Sequence, residues 1–215
     1  MCSDAAWPAA LERGEAGEPL AGETRSGDLA VWAPYPGGAL VAVIDGLGHG
    51  AGAADAAEAA ASELRAHARR PPEEALKHCH EALRSTRGVV ATLAWFDLES
   101  GGLAWLGVGN VEGRLVRADR ERGDSADSPT LFGGVLGWSL PAVKLVRTTL
   151  APGDCVVMAT DGVAADFGSS LQPGVPAQEQ AQRVLASHTR GSDDALVVAV
   201  RWMPDPVTSA GQSQP

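Results

Sequence analysis

Long hydrophobic runs are missing from this chain. No apolar stretch approaches the ~20 residues needed to span a bilayer, and no basic segment followed by an apolar one marks a secretory leader. Membrane insertion and export are therefore not expected, and a cytoplasmic location is. Cysteine is scarce: Cys2, Cys79 and Cys155 form no close pair, which leaves no disulfide framework and favours reduced thiols. Positive charge is in deficit, with a formal net charge of -10, so the basic footprint that a phosphate backbone requires is lacking. A phosphoprotein partner stays open, because bound metal ions can supply positive charge locally.

What is present suits one ordinary globular domain. The chain has 215 residues, 45% hydrophobic and 20% charged. Residues 1–24 read as a partly ordered lead-in with an edge strand or short helix around Ala9 to Arg13. Residues 25–203 read as a single domain and 204–215 as a flexible tail. Asp28 to Ala33 and Ala39 to Ile44 are predicted strands, joined by Pro34-Tyr35-Pro36-Gly37-Gly38. Ala51 to Arg70 is an alanine-dominated helix, stopped by Pro71-Pro72, and Glu73 to Ser85 is a second. Val89 to Leu98, Gly102 to Gly109 and Gly113 to Ala118 read as a strand meander. Asp119 to Ser128 is the most polar internal stretch and reads as a surface connection. Val143 to Leu150 and Cys155 to Thr160 read as a further strand pair. A helix over Ala177 to Ser187 and a strand over Ala195 to Trp202 complete the order. Hairpin-length connections argue against a parallel sheet, and segregated helices predict an α+β layered sandwich.

Four acids stand at the ends of apolar runs: Asp28 in Ser26-Gly27-Asp28, Asp45 in Val43-Ile44-Asp45-Gly46, Asp161 in Ala159-Thr160-Asp161-Gly162, and Asp193 in Ser192-Asp193-Asp194. An unpaired carboxylate at the mouth of a buried strand is costly. Several that converge need a cation, and oxygen donors favour a hard divalent ion such as Mg²⁺ or Mn²⁺. Each acid taken alone also reads as a helix cap or a turn residue. A strand-borne aspartate nucleophile of the haloacid-dehalogenase kind would need a second acid at Leu47. His78 and His80, with Cys79 between them, resemble a zinc fragment, but alternate helix positions face different directions. Trp95 and Trp105 read as packing residues in paired strands.

The ordered set Gly27-Asp28, Asp45-Gly46-Leu47-Gly48-His49-Gly50, Thr160-Asp161-Gly162 and Asp193-Asp194 resembles the metal-dependent type 2C protein phosphatases. More narrowly, it resembles their bacterial SpoIIE branch. Arg87-Gly88, Gly107-Val108-Gly109-Asn110-Val111 and Gly134-Val135-Leu136-Gly137 are similar to the compact phosphatases of the bacterial stressosome within that branch. The resemblance implies an αββα sandwich of two antiparallel sheets flanked by helices, with a site at one end holding two Mn²⁺ or Mg²⁺ ions. Asp45 would bridge them, the Gly46 carbonyl and Asp28 would serve the second ion, and Asp161 and Asp193 would hold the first. Asp45, Asp161 and Asp193 would thus be the catalytic carboxylates, and a metal-bridging water would attack phosphorus in line.

Asp194 is expected behind the ligands. His49 is a candidate general acid, although the position directly after Asp-Gly is Leu47. Arg25 is a weak match to a phosphate clamp, and Asn110 would tie a loop near the site. The implied function is that of a protein serine/threonine phosphatase acting on phosphorylated STAS-domain proteins of a stressosome, resetting stress signalling. Lack of an attached sensor segment favours that over an activator phosphatase acting on an anti-anti-sigma factor. A pseudophosphatase that binds a phosphoprotein without hydrolysing it is the non-enzymatic alternative.

Overall fold

Two β-sheets stack face to face, because three of the central strands carry apolar side chains on both of their faces. The computed structural model describes residues 5–122 and 127–204. In order along the chain these form β1 (Leu11–Glu18), β2 (Asp28–Tyr35), β3 (Gly38–Gly46), α1 (Ala51–Ala66), α2 (Pro72–Ala82), β4 (Val89–Asp97), β5 (Gly102–Val108), β6 (Glu112–Val116), β7 (Leu131–Phe132), β8 (Val146–Thr149), β9 (Cys155–Ala159), α3 (Ala177–His188) and β10 (Ala195–Trp202). Short 3-10 turns lie at Arg120–Arg122 and Ala165–Ser170. One sheet has the order β1-β10-β9-β6, and the other β2-β3-β4-β5-β7, with β8 also on β5. Pairing is antiparallel except between β5 and β7.

The alternation of side chains along each strand assigns the layers. In β3, Ala39, Val41 and Val43 enter the core between the sheets, where they meet Val156 and Met158 of β9 and Leu196, Val198 and Val200 of β10. Leu40, Ala42 and Ile44 face the other way, under α1 and α2. Alanines at 53, 56, 57, 60 and 61 let α1 sit close on the sheet, and Pro72 opens α2 at its first turn. On the smaller sheet Val157, Val197 and Ala199 face outward beneath Ala177, Ala181 and Val184 of α3. This is the expected αββα sandwich. No helix among the described residues is long and apolar enough to cross a membrane.

The lead-in carries an edge strand, one of its two expected forms, with β1 paired to β10 along all eight of its residues. Other local expectations differ from the structure. α1 ends at Ala66, short of Arg70. The meander breaks after β5, because β6 crosses to the other sheet and pairs with β9. β8 and β9 are not a hairpin, since β8 joins β5 while β9 joins β10.

A buried ion cluster ties that crossing. Arg117 follows β6 and donates to Asp127, Asp154, the Thr149 carbonyl and the Thr148 hydroxyl. The fully buried Asp154 also accepts from the backbone N–H groups of Ala118 and Ala151. His78 stacks on His67, His80 accepts from the Gly137 N–H, and Cys79 is buried beneath α1, so the zinc-like triplet points three ways. Of the surface connection at 119–128 and the tail from 204, residues 123–126 and 205–215 lie outside the described residues.

Candidate metal centre

Strand geometry brings the acids together. Asp28 opens β2 and stands directly opposite Asp45 near the end of β3. Asp161 follows β9, and Asp193 and Asp194 precede β10, which pairs with β9. The two sheets therefore present these carboxylates at one end of the sandwich.

The carboxyls act on one another's charge. Burial, then the charges of Asp161, Asp193 and Asp194, pushes the Asp45 carboxyl up from 3.8 to about 7. Burial lifts Asp28 to about 8; the Thr160 hydroxyl opposes this by hydrogen bonding, and Asp45, Asp194 and Asp161 reinforce it. Among the described residues none of Asp28, Asp45, Asp161, Asp193 or Asp194 is ion-paired with a basic side chain.

Each acid is placed by a specific partner. The Thr160 hydroxyl is 2.6 Å from Asp28 Oδ2 and accepts from the Leu196 N–H at 2.9 Å, so it links β2 to β10. Asn110 Nδ2 donates to Asp161 Oδ2 at 2.8 Å. Asp193 is exposed, and its Oδ1 accepts from the Asp194 N–H. Asp194 is buried, and both of its oxygens are occupied, one by the Leu20 N–H and one by the Gly27 N–H, each at 2.7 Å. It pins the segment leading to Asp28.

The glycines of the two Asp-Gly pairs have a packing cause. A Cβ on Gly46 would collide with the Ala53 carbonyl of α1, and one on Gly162 with the Asp194 carbonyl. The Gly46 N–H donates to the Gly27 carbonyl, and its own carbonyl lies beside Gly27. Gly48 and Gly50 adopt φ of 86° and 72°, which turns the chain from β3 into α1.

The remaining candidates are occupied elsewhere. His49 is 60% exposed and its Nδ1 lies 2.8 Å from Glu23 Oε1. Arg25 is committed to Asp55 and Glu58 on α1, both at 2.9 Å. The guanidinium lying against the Gly48–Gly52 turn is that of Arg87. Two site features were not assigned a role from the sequence. Thr160 was missed because a β-branched residue ending an apolar run looks like ordinary strand. A cavity of about 160 Å³ beside Asp161, lined by Asn110, Thr160, Val163, Phe167 and Arg190, was missed because those positions are scattered along the chain.

The donor set fits a hard divalent cation: all-oxygen, uncompensated, and partly buried. Among the described residues no three His, Cys, Asp or Glu side chains stand close enough together to hold an ion as they are placed.

Comparison with known proteins agrees with this geometry. The family described as Stage II sporulation protein E (SpoIIE) matches residues 35–203. The chain is 26% identical over 160 residues to the phosphoserine phosphatase RsbX of Bacillus subtilis (strain 168), covering 74% of this chain and 78% of that protein. A chain from a structure of the bacterial stressosome, described as a modular system adapted to control secondary messenger signalling, superposes with a TM-score of 0.79. It is 26% identical, and the overlap covers 89% of this chain and 99% of that one. RsbX in complex with magnesium superposes with a TM-score of 0.79 at 22% identity, covering 90% and 96%. The end-of-sandwich acids, the αββα layers and the family match over most of the chain agree: this chain belongs to the SpoIIE family of type 2C phosphatase domains.

Proposed function

We propose that this phosphatase domain hydrolyses phosphoserine or phosphothreonine on STAS-domain proteins of a stressosome, resetting the signalling assembly, and that it uses Mn²⁺ or Mg²⁺. The observation that carries the metal reading is the convergence of Asp28, Asp45, Asp161 and Asp193 from four strand ends with no basic partner among the described residues. Asp45 would lie between two ions, with Asp28 and the Gly46 carbonyl toward one and Asp161 and Asp193 toward the other. Bound there, two dications supply a water of lowered pKa and neutralise phosphate charge.

The chain's own residues do the rest. Thr160 fixes Asp28, Asn110 orients Asp161, and Asp194 holds Gly27 so that Asp28 enters β2 in register. The cavity beside Asp161 has room for one side chain flanking the phosphorylated residue. His49 is paired to Glu23 through Nδ1, so a proton given to a leaving oxygen would come from Nε2. The likeness to RsbX and to a chain from a stressosome structure supports the substrate assignment. The domain limits proposed are a core of 25–203 with β1 completing the smaller sheet.

The test is hydrolysis of a phosphoserine STAS protein by purified chain, with Mn²⁺, Mg²⁺ or EDTA. Turnover should need the divalent ion and fall by roughly 10²-fold or more in Asp45→Asn, since several kcal/mol of charge stabilisation are removed. Turnover in EDTA, or an unaffected Asp45→Asn, would overturn the proposal. A substrate panel that includes an anti-anti-sigma factor checks the partner separately.

A further inference from the structure

The helical layer does not cover the whole of the larger sheet. α1 packs on β2, β3 and β4, while β5 and β8 lie beyond it. Across the sheet the register runs Leu40–Trp95–Ala104–Arg147, directly opposed residues that share one face. Small Ala104 leaves a depression between bulky Trp95 and Arg147, and the α1–α2 connection at Arg69–Pro72 walls its other side. The result is a cavity of about 480 Å³, within the size range of small-molecule sites.

Its charge is opposite to that of the protein. In a chain of net charge -10, this cavity gathers Arg69, Arg70 and Arg147 against one carboxylate, Asp97. Arg70 is loosely paired with Glu74 at 3.4 Å. Asp97 is turned into its own hairpin, accepting from the Ser100 hydroxyl and the Glu99 N–H, which holds its carboxyl below the usual range. Among the described residues Arg69 and Arg147 have no acidic partner. Trp95, 6% exposed and part of the wall, carries an indole N–H with no acceptor. Trp95 lies five residues along β4 from Val90, the partner of Asp45, so the cavity is about 17 Å from the acid cluster.

We propose that this cavity is a second ligand site, specific for a phosphate-bearing small molecule held by Arg69 and Arg147. Arginine forks match phosphate oxygens in paired hydrogen bonds, and two unpaired forks facing one recess of this volume fit a diphosphate or a nucleotide. The site is separate from the metal centre and does not depend on the phosphatase reading.

The experiment is calorimetric titration of the full chain in EDTA, where the acid cluster repels anions, with inorganic pyrophosphate, ATP and GTP as probes. The expected result is one site per chain whose affinity falls as salt rises. Arg147→Gln and Arg69→Gln should each weaken it roughly tenfold or more, with Asp45→Asn binding as wild type. Tighter binding of the nucleotides than of pyrophosphate assigns a base-recognising site, and equal binding assigns recognition of the phosphates alone. Circular dichroism of both arginine variants verifies their folding, and Arg147→Lys should retain part of the affinity. No heat with any probe, or binding undiminished in both arginine variants, overturns the proposal.

Discussion

Replacing Asp28 with asparagine should stabilise the metal-free protein at alkaline pH while removing its metal-dependent activity. Burial and neighbouring carboxylates hold Asp28 at about 8, against 3.8 in the unfolded chain. Below pH 4 the group is protonated in both states and costs nothing. Between pH 4 and 8 the unfolded chain ionises while the folded one stays protonated, so stability is lost as pH rises, and the loss levels off above 8. Moving one carboxyl from 3.8 to about 8 corresponds to roughly 5–6 kcal/mol. An asparagine keeps the shape and has no charge to bury, but its amide N–H atoms enter a site that offers little beyond carboxylates and Thr160. The net gain is then on the order of 2 kcal/mol at pH 8.5, or about 4–8 °C in Tm for a domain of this size. Thermal unfolding of both proteins in EDTA from pH 4.5 to 8.5 reads the difference. It should run from about 2–3 kcal/mol against the variant at pH 4.5 to about 2 kcal/mol in its favour at pH 8.5, and millimolar Mg²⁺ should stabilise wild type more than the variant. A difference that is constant with pH, or an Asp28→Asn protein less stable at pH 8.5, would refute the reasoning.

Asp154→Ala leaves Arg117 buried without one of its anions and frees two backbone N–H groups, so chemical denaturation should register a loss of about 3–5 kcal/mol. Gly162→Ala forces a methyl into the Asp194 carbonyl and should lower Tm by more than 5 °C. Gly133→Ala, with nothing within 4 Å, serves as the control and should stay within about 0.5 kcal/mol of wild type. Asn110→Ala removes the hydrogen bond that orients Asp161, so the Mn²⁺ concentration giving half-maximal activity should rise by about 10-fold with the fold intact.

The acids were legible in the sequence because each borders an apolar run that reads as a buried strand, Asp45 and Asp161 following one and Asp28 and Asp193 preceding one. β10 was read to its residue limits for the same reason, with Asp193-Asp194 marking its entry and Pro204 its exit. Sheet membership was not legible. β3, β9 and β10 are apolar on both faces, so they show no alternation that would assign them to one sheet. β6 and β8 join their sheets through partners far along the chain, held by the Arg117–Asp154 cluster, whereas local turn chemistry suggested neighbours. In the site, the resemblance set Asp194 apart from Asp193, but the partners of its two oxygens, the Leu20 and Gly27 N–H groups, lie far along the chain and were not legible. Arg25 looked available near Asp28 until α1 supplied Asp55 and Glu58, residues about 30 positions away, as its partners.

The most direct measurement of the central claim is anomalous diffraction from crystals of the full chain soaked in Mn²⁺. Strong peaks at bonding distance from Asp45, shared with Asp161 and Asp193 on one side and Asp28 on the other, are the expected result. Density without a peak among these four carboxylates, or an ion bound only elsewhere on the acidic surface, would contradict it.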